Sequence, residues 1–551
     1  MKDKLKIDYK KICLILTLIG FILTLIYIFK TATAILISDS VITDVLAHEQ
    51  KINKQIFLKN WYYGNEFWLF SLSIPTLILS FISSNQILIR QVSVLITAII
   101  FFIILYKYGK EFLKKKDVFC LIAIFASGIS YSVLDYFYAF NAYLTVVINS
   151  LLLFFLYYKC FESKNNHKLY FGLSIIFTFL FNMGSLRYFP LITLPFIITE
   201  LIFIFKDNVN SNIKEVIKNN DNFKKIVGII LISLLALVTY KFLTLTLHFE
   251  ARASDTIYSV VSSEKIETAT KALGDCISNF FGYDNQNHPN TFMMSENYFL
   301  LQQKEFSILS IRGICYFIKF IICILFIFVT PITLFKHFKE NDRKIQFLFV
   351  FNTISWILMI YLYLFVGSFF YNFSELKYFL VNIVFNIILS IYCISKYYMK
   401  NKYYEWIFKS LLIFYILTNI YTTSCIIIEH DQYAIDRRYE LVDVLKENDL
   451  TFGYTGFWDG LMTYYLSNYE IKAVSVELGS EITPYRWYSD CRWYKKGYHP
   501  GKTFLAVDSN YENYMSYYEQ YYGTPNDIVR TDNYIVYIYN NNPFNKGFKK
   551  K

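Results

Sequence analysis

Residues 67–84 read FWLFSLSIPTLILSFISS, and whether this stretch crosses a membrane decides how the rest of the chain is arranged. The block is apolar, but it contains Pro75 and five serines, and it is shorter than the ~20 residues that a membrane-spanning helix needs. If it crossed, the Lys cluster at 107–116 would lie on the side opposite the basic N-terminus, against the positive-inside rule. We therefore predict that 67–84 lies in the membrane interface or re-enters the membrane.

Outward from this block, the chain is a series of apolar segments. Hydrophobic residues make up 55% of the 551 and aromatic residues 20%, more apolar surface than a soluble protein could bury. The first segment follows a basic start but is too long for a signal-peptide core and lacks a small-residue cleavage site, so we interpret it as a retained span. We predict about eleven spans in total, at 12–37, 87–106, 117–134, 142–158, 169–184, 188–205, 226–248, 313–335, 346–366, 378–397 and 405–428.

The distribution of lysines gives the orientation. With 67–84 in the interface, five Lys-rich loops and the N-terminus lie on one side, which the positive-inside rule makes cytoplasmic. Topology therefore explains the net charge of +11 and argues against nucleic acid as a partner. We predict a multi-pass cell-membrane protein whose Lys-rich loops are 107–116, 159–168, 206–225, 336–344 and 396–402.

The other side carries two long loops, 38–86 and 249–312, and a tail of different character. We divide the chain into a membrane domain, 1–428, and a soluble exterior domain, 429–551. In the tail, a polar amphipathic stretch at 433–448 precedes alternating strand-like runs at 451–456, 471–478, 503–509 and 534–540, with helical patterns at 460–467 and 511–522. The fold class is mainly α: a polytopic membrane protein with interfacial helices in its first exterior loop and a small C-terminal α/β domain.

The most informative residue in the first exterior loop is Asp39, where the first span meets the interface. A carboxylate at this depth must be solvated or bound. It, or Ser38, could cap a helix that runs onward from residue 41. Alternatively, Asp39 is a general base or metal ligand that faces a cavity.

The first loop resembles that of the GT-C superfamily of membrane glycosyltransferases, which includes protein O-mannosyltransferases and lipid A aminoarabinose transferases. The residues that carry the resemblance are Asp39, Glu49, Trp61 and Arg90, with 67–84 as a second interfacial helix. It covers roughly residues 10 to 200. It implies that Asp39 is the catalytic base, that Glu49 and Trp61 contact substrate, and that the sugar donor is linked to polyprenyl phosphate. The acceptor would be a glycan, lipid or protein of the cell envelope.

Three further residues are candidates for substrate binding. Relatives carry an acidic residue at the start of the fourth span, where this chain has Asp135 six residues before Asn141; a solvated turn residue is the alternative. Arg187 and Lys377 are cations on the exterior side and could bind a lipid phosphate. The alternatives are interface snorkelling for Arg187 and pairing with Glu375 for Lys377.

Metal dependence stays open, because Ser40 follows Asp39 where many relatives have a second acid; no cofactor is certain and a divalent cation is possible. Cys276 and Cys491 fall in predicted exterior segments, where either one disulfide or two free thiols would fit. Competing functions are an envelope-polysaccharide transporter or flippase, and a polymerase or ligase that would use Arg252 and His288 of the second long loop.

Overall fold

The computed structural model describes residues 9–64, 66–140, 142–162, 166–209, 220–248, 263–282, 309–365, 377–399, 401–429, 432–479 and 481–546. Helices dominate these ranges. In chain order they are α1 (Tyr9–Ala34), α2 (Ser38–Asn53), α3 (Ser73–Leu79), α4 (Gln86–Phe112), α5 (Lys115–Ala126), α6 (Tyr131–Ala139), α7 (Ala142–Glu162), α8 (His167–Gly184), α9 (Phe189–Asp207), α10 (Asp221–Thr246), α11 (Ser263–Phe280), α12 (Ile311–Lys336), α13 (Arg343–Phe365), α14 (Leu380–Tyr398), α15 (Lys402–Ile428), α16 (Tyr433–Glu447), α17 (Phe457–Leu466) and α18 (Met515–Tyr522).

Nine helices of the described ranges are long and apolar enough to cross a membrane, and a tenth crossing results if one bent pair counts as a span. Polar side chains define where several of them start. The side chain of Asn85 accepts a hydrogen bond from the Leu88 amide at 3.0 Å, and that of Ser310 accepts one from Gly313 at 3.0 Å. Such caps satisfy amides that have no partner within the helix. The nine are α1, α4, α7, α9, α10, α12, α13, α14 and α15.

Two of the predicted spans account for the difference between the eleven spans predicted and the nine long helices of the described residues. The span predicted at 117–134 is α5 and α6, which meet at an angle of 89°. The chain turns at Gly128, whose φ of +76° is easily adopted only by glycine, and a Cβ there would lie 2.4 Å from the hydroxyl of Thr423. The span predicted at 169–184 is the 18-residue helix α8, which begins with His167 and Lys168 and is not among the nine.

The block at 67–84 forms no helix long enough to cross a membrane. Its helical part is α3, seven residues long, with turns on both sides. At 1.5 Å per residue, α3 reaches about 10 Å, roughly a third of the hydrocarbon thickness. This agrees with the expectation that the block is too short to be a full span, while its placement in the membrane interface stays a prediction.

The tail forms the predicted α/β domain. Its six-stranded sheet has the order β4-β3-β2-β6-β8-β7, with β2 parallel to β3 and β6, and β8 antiparallel to β6. Tyr454 pairs with Val474 on one side and with Leu505 on the other. The four predicted strands are confirmed, and β4 and β7 add edge strands that we did not predict. The strands of the chain are β1 (Trp61–Tyr62), β2 (Phe452–Gly456), β3 (Lys472–Glu477), β4 (Thr483–Pro484), β5 (Ser489–Asp490), β6 (Thr503–Asp508), β7 (Asp527–Arg530) and β8 (Tyr534–Tyr539).

The first loop and the tail share one hydrophobic core. Buried residues of α2, such as Val41, Val45 and Leu46, belong to the same packed cluster as the sheet residues Val474 and Leu505. The membrane helices form a separate core. The α/β domain is therefore packed onto the first loop rather than joined to the membrane domain by its linker alone.

Candidate functional site

Helix α2 places Asp39 in its first turn, directly after the end of α1. Ile37 occupies the N-cap position, and the Ser40 hydroxyl accepts a hydrogen bond from the Ile37 amide at 3.4 Å. The prediction that Ser38 or Asp39 caps the helix is therefore wrong, because both lie inside its first turn. A carboxylate in the first turn is stabilised by the helix dipole. The Asp39 side chain is partly exposed, as an acid-base group needs to be.

The α/β domain contacts the chain on both sides of Asp39. The Ser38 hydroxyl lies 2.8 Å from the carbonyl oxygen of Phe457 and 2.7 Å from that of Trp458, and it can donate to either. Arg438 of α16 donates to the Leu36 carbonyl at 3.0 Å. Because β2 leads directly into α17 at Phe457, Asp39 lies at the carboxyl end of the parallel strands, the edge where α/β sheets usually bind ligands.

Arg187, between α8 and α9, lies in a ring of aromatic side chains. It forms an ion pair with Glu66 of the first loop. Its guanidinium carbon is 5.6 Å from the ring centroid of Trp68, 5.7 Å from that of Tyr143 and 5.6 Å from that of Tyr378. Cation–π contacts of this kind favour a buried cation. Among the described residues, the buried Nε of Arg187 has no hydrogen-bond partner, so one donor is left for a ligand.

Lys377 brings a second cation to the same aromatic side chains. Its Nζ lies 5.6 Å from the ring centroid of Tyr143 and 5.4 Å from that of Tyr378. Its charge also acts on the carboxyl of Glu66. Burial raises the pKa of Glu66, and Arg187 and Lys377 oppose that shift. Glu375, the alternative partner of Lys377, lies outside the described residues.

Asp39 belongs to the same electrostatic neighbourhood. The charges of Asp39, Arg187 and Lys377 all act on Tyr143. Burial raises the pKa of the Tyr488 hydroxyl, and the carboxylates of Glu66 and Asp39 raise it further. The structure therefore places Arg187 and Lys377, which were predicted separately from the sequence, over the same two rings, and the charge of Asp39 acts on one of those rings, Tyr143.

Tyr488, from the segment before β5, connects the α/β domain to this cluster. Its hydroxyl accepts a hydrogen bond from Trp68 Nε1 at 2.7 Å, and a Cβ on Gly64 would lie 2.7 Å from its ring. Trp68 and Tyr488 have φ angles of +52° and +46°. Side-chain-bearing residues adopt such angles at a cost of order 1–2 kcal/mol each, and strain of this kind clusters at functional sites.

Asp135 lies in α6, next to Tyr136, whose hydroxyl is under the influence of Lys377, Asp135 and Tyr143. Asp135 is partly exposed and forms no ion pair within the part of the chain that the structure describes. It is thus near the edge of the cluster. A role in substrate binding stays a prediction, and the solvated-turn alternative does not apply, because the residue is helical.

The structure gives Arg90 a partner that we did not predict. Arg90, near the start of α4, forms a buried ion pair with Asp44 of α2 and donates to the carbonyl oxygens of Ser40, at 2.9 Å, and Ala139. Thr76 of α3 donates to Asp44 at 3.3 Å. Burial raises the pKa of the Asp44 carboxyl, and Arg90 opposes that shift. This pair fixes α2 against α3, α4 and α6.

Glu49 is further along α2, ten residues from Asp39 and so about 15 Å away along the helix. It is buried, accepts a hydrogen bond from the Tyr464 hydroxyl at 2.7 Å and another from Asn53 at 3.0 Å. Its neighbour His48 stacks on Tyr469 with ring centroids 3.5 Å apart, and burial lowers the pKa of His48 to about 4. These contacts join α2 to the α/β domain, and none of them leads to the Arg187 cluster.

Trp61 also joins the two parts of the chain. It is 1% exposed, pairs with Asp490 where β1 meets β5, and contacts the Trp493 ring edge-on at 6.3 Å. A side chain buried this completely offers no face to a sugar. The substrate contact that the resemblance implies for Trp61 is therefore not available in this conformation.

The remaining expectations concern metals and thiols. Within the described ranges, no group of three or more His, Cys, Asp or Glu side chains could hold a metal ion. Cys276 and Cys491 are both buried and form no disulfide with each other, so the disulfide alternative is wrong. Arg252 and His288 lie outside the described residues.

The cluster combines a half-exposed carboxylate with two cations held over aromatic rings, at a junction of membrane helices, first loop and α/β domain. Sequence reasoning missed Glu66, Trp68, Tyr143 and Tyr488. Only the position of Glu66 and Trp68 in the same loop as Asp39 could have suggested them. No protein-family model matches the chain, and a search of curated proteins finds no match to it.

Proposed function

We propose that the protein is a membrane glycosyltransferase of the GT-C type, which transfers a sugar from a polyprenyl-phosphate carrier to a glycan, lipid or protein of the cell envelope. The observation that carries this proposal is that Arg187 and Lys377 both lie over the ring of Tyr143, on which the charge of Asp39 also acts. A base beside two cations fits the transfer of a sugar from a phosphate leaving group.

The proposed topology has eleven spans, with α8 and the bent pair α5–α6 added to the nine long helices. The N-terminus and the Lys-rich loops are cytoplasmic, and the cluster and the α/β domain are exterior. In this proposal α8 also crosses, because it packs against α7 and α10, and a helix that its neighbours partly cover needs less apolar surface. Donor and acceptor would then meet at the outer leaflet.

In the proposed reaction, Asp39 accepts the proton of the acceptor hydroxyl as the hydroxyl oxygen attacks the anomeric carbon. The new carbon–oxygen bond forms while the bond from the anomeric carbon to the phosphate oxygen breaks. The polyprenyl phosphate leaves with the bonding electron pair, and Arg187 and Lys377 stabilise its added charge. A single displacement inverts the anomeric centre and needs one base.

A cavity in the membrane domain supports a lipid-linked donor. It measures about 320 Å³ and is lined mainly by apolar side chains of α11 to α14, among them Ile277 and Trp356. Trp356 stacks on Phe379 at 5.4 Å, and Phe379 is two residues from Lys377. A polyprenyl chain in this cavity would bring its phosphate towards the two cations.

The α/β domain supplies the acceptor side in this proposal. Trp458 is 45% exposed although its carbonyl oxygen is bonded to Ser38, the neighbour of Asp39. Tyr485 packs on Phe457 with ring centroids 4.8 Å apart and is half-buried. Aromatic rings beside the base could stack on an acceptor sugar. Tyr488 and Trp493, in contrast, are buried against the first loop and offer no face to an acceptor.

Asp39→Asn tests the proposal, because it keeps the shape of the side chain and removes the base. In membranes supplied with labelled polyprenyl-phosphate-linked hexoses, we expect transfer to fall about 10²- to 10⁴-fold. Asp443→Asn, at an exposed position of α16, is the matched control and should leave transfer unchanged. Normal transfer by Asp39→Asn would refute the mechanism and return the transporter and polymerase readings to first place.

A further inference from the structure

The opposite end of the helix bundle has a groove that the proposed reaction does not use. It lies between α9, α12 and α13, where α12 ends and α13 begins, and encloses about 650 Å³. One wall of the groove is apolar and includes Ile202, Phe335 and Val350. The Phe335 side chain is exposed. An apolar groove between membrane helices is a place for acyl chains.

The rim of the groove is cationic. Lys336 and Lys339 line it, and both are exposed with no carboxylate partner among the described residues. Lys206 of α9 reaches the same rim, with its Nζ 5.2 Å from the ring centroid of Phe338. Their ammonium groups are therefore left for an anion.

Three of the acidic residues at this end form ion pairs, whereas the exposed Asp342 forms none among the described residues. Glu340, which also lines the groove, pairs with His337 at 2.9 Å. Asp207 pairs with Arg343 at 2.7 Å, and Glu162 lies 4.0 Å from the same guanidinium. Among the residues that line the groove or reach its rim, Lys336, Lys339 and Lys206 outnumber Glu340, so the charge beside the groove is positive.

We propose that this groove is a specific site for one anionic phospholipid. The phosphate of the headgroup binds Lys336 and Lys339, with Lys206 at its edge, and the acyl chains lie along Phe335 and Val350. Basic pockets between membrane helices bind anionic headgroups in this way, with about 1 kcal/mol for each cation near the lipid surface. The site is independent of the proposed transfer reaction.

The full-length protein in detergent tests the site by native mass spectrometry, with titration of phosphatidylglycerol or phosphatidylcholine of the same acyl chains. We expect one phosphatidylglycerol to bind saturably, and phosphatidylcholine to bind at least about 10-fold more weakly. The double variant Lys336→Gln/Lys339→Gln should weaken phosphatidylglycerol binding about 30-fold, as two cations at this strength require.

The matched control is Lys168→Gln/Lys224→Gln, which removes two exposed lysines from the same end of the bundle and changes the net charge equally. It should bind phosphatidylglycerol like the wild type. Val350→Trp fills the groove without a change of charge, and it should abolish saturable binding while the elution volume on gel filtration stays unchanged. Equal binding of the two lipids, equal losses in the two double variants, or saturable binding by Val350→Trp would each overturn the proposal.

Discussion

Two carboxylate–arginine pairs hold the first loop, and they differ in what surrounds the arginine. Arg90 is 2% exposed, and apart from Asp44 it donates to two backbone carbonyls. The Arg187 side chain is 18% exposed, has aromatic rings where Arg90 has carbonyls, and keeps an unbonded Nε. The Arg90–Asp44 pair is thus closed, because backbone carbonyls accept from Arg90. The Arg187–Glu66 pair is open, because Arg187 keeps a donor without a partner among the described residues.

The difference teaches how to separate structural from functional charge in this chain. A buried ion pair whose remaining donors are satisfied by the backbone has no capacity left for a ligand, and its removal costs stability. A pair that rests on aromatic faces keeps donors and can exchange partners. The following predictions test that distinction.

Arg90→Leu should have the largest effect, on stability. It leaves the Asp44 carboxylate buried without its cation, and we expect the free energy of unfolding to fall by about 3–5 kcal/mol. Thermal unfolding of the purified protein in detergent measures the change. Asp44→Leu combined with Arg90→Leu removes both charges and should recover part of the loss; a double variant less stable than Arg90→Leu would contradict this view of the pair.

Arg187→Leu should instead lower transfer, by about 10²- to 10³-fold, while most of the protein stays folded. Arg187→Lys keeps a cation for Glu66 but loses the planar, forked donor, so a loss of about 10-fold is expected. Transfer is measured with the labelled donor and divided by the amount of folded protein. If both variants lost transfer only in proportion to folded protein, Arg187 would be a structural residue like Arg90.

Tyr488→Phe should have the smallest effect and shows whether the open pair depends on the α/β domain. It removes the acceptor for Trp68 Nε1, at a cost of about 1–3 kcal/mol, and should lower transfer a few-fold. Tyr494→Phe is the matched control, because the Tyr494 hydroxyl donates within the α/β domain, 2.8 Å from the Ser475 carbonyl oxygen and 2.9 Å from that of Tyr485. Equal loss of transfer in both variants would argue against a special role for Tyr488.

The fold was predictable where the hydrophobic residues of a segment followed a single helical or strand-like pattern. Hydrophobic blocks near 20 residues gave the long helices, and strict alternation gave the strands from Phe452 to Tyr539. The break between α5 and α6 was not predictable, because it depends on the conformation of Gly128 and on Thr423, which comes from a distant helix. Hydropathy alone reads 117–134 as one continuous apolar run.

The candidate site was predictable only in part. Asp39, Arg187 and Lys377 stood out because charge at the edge of an apolar block is rare. Glu49 and Trp61 drew attention through the resemblance to the GT-C superfamily, but their partners, Tyr464 and Trp493, come from the tail. No local pattern tells a loop residue that binds a ligand from one that binds a distant domain.

The joint between the first loop and the tail has a consequence for biosynthesis. Glu49 and Tyr464 are 415 residues apart in sequence. Likewise, β1 pairs with β5, and Trp61 lies opposite Asp490. During synthesis, the loop must therefore remain with its buried carboxylates and apolar face uncovered until nearly the whole polypeptide has emerged. A chain that is truncated before β5 would expose that loop to proteases and chaperones. The first loop is therefore fully folded only when the C-terminal domain has folded onto it.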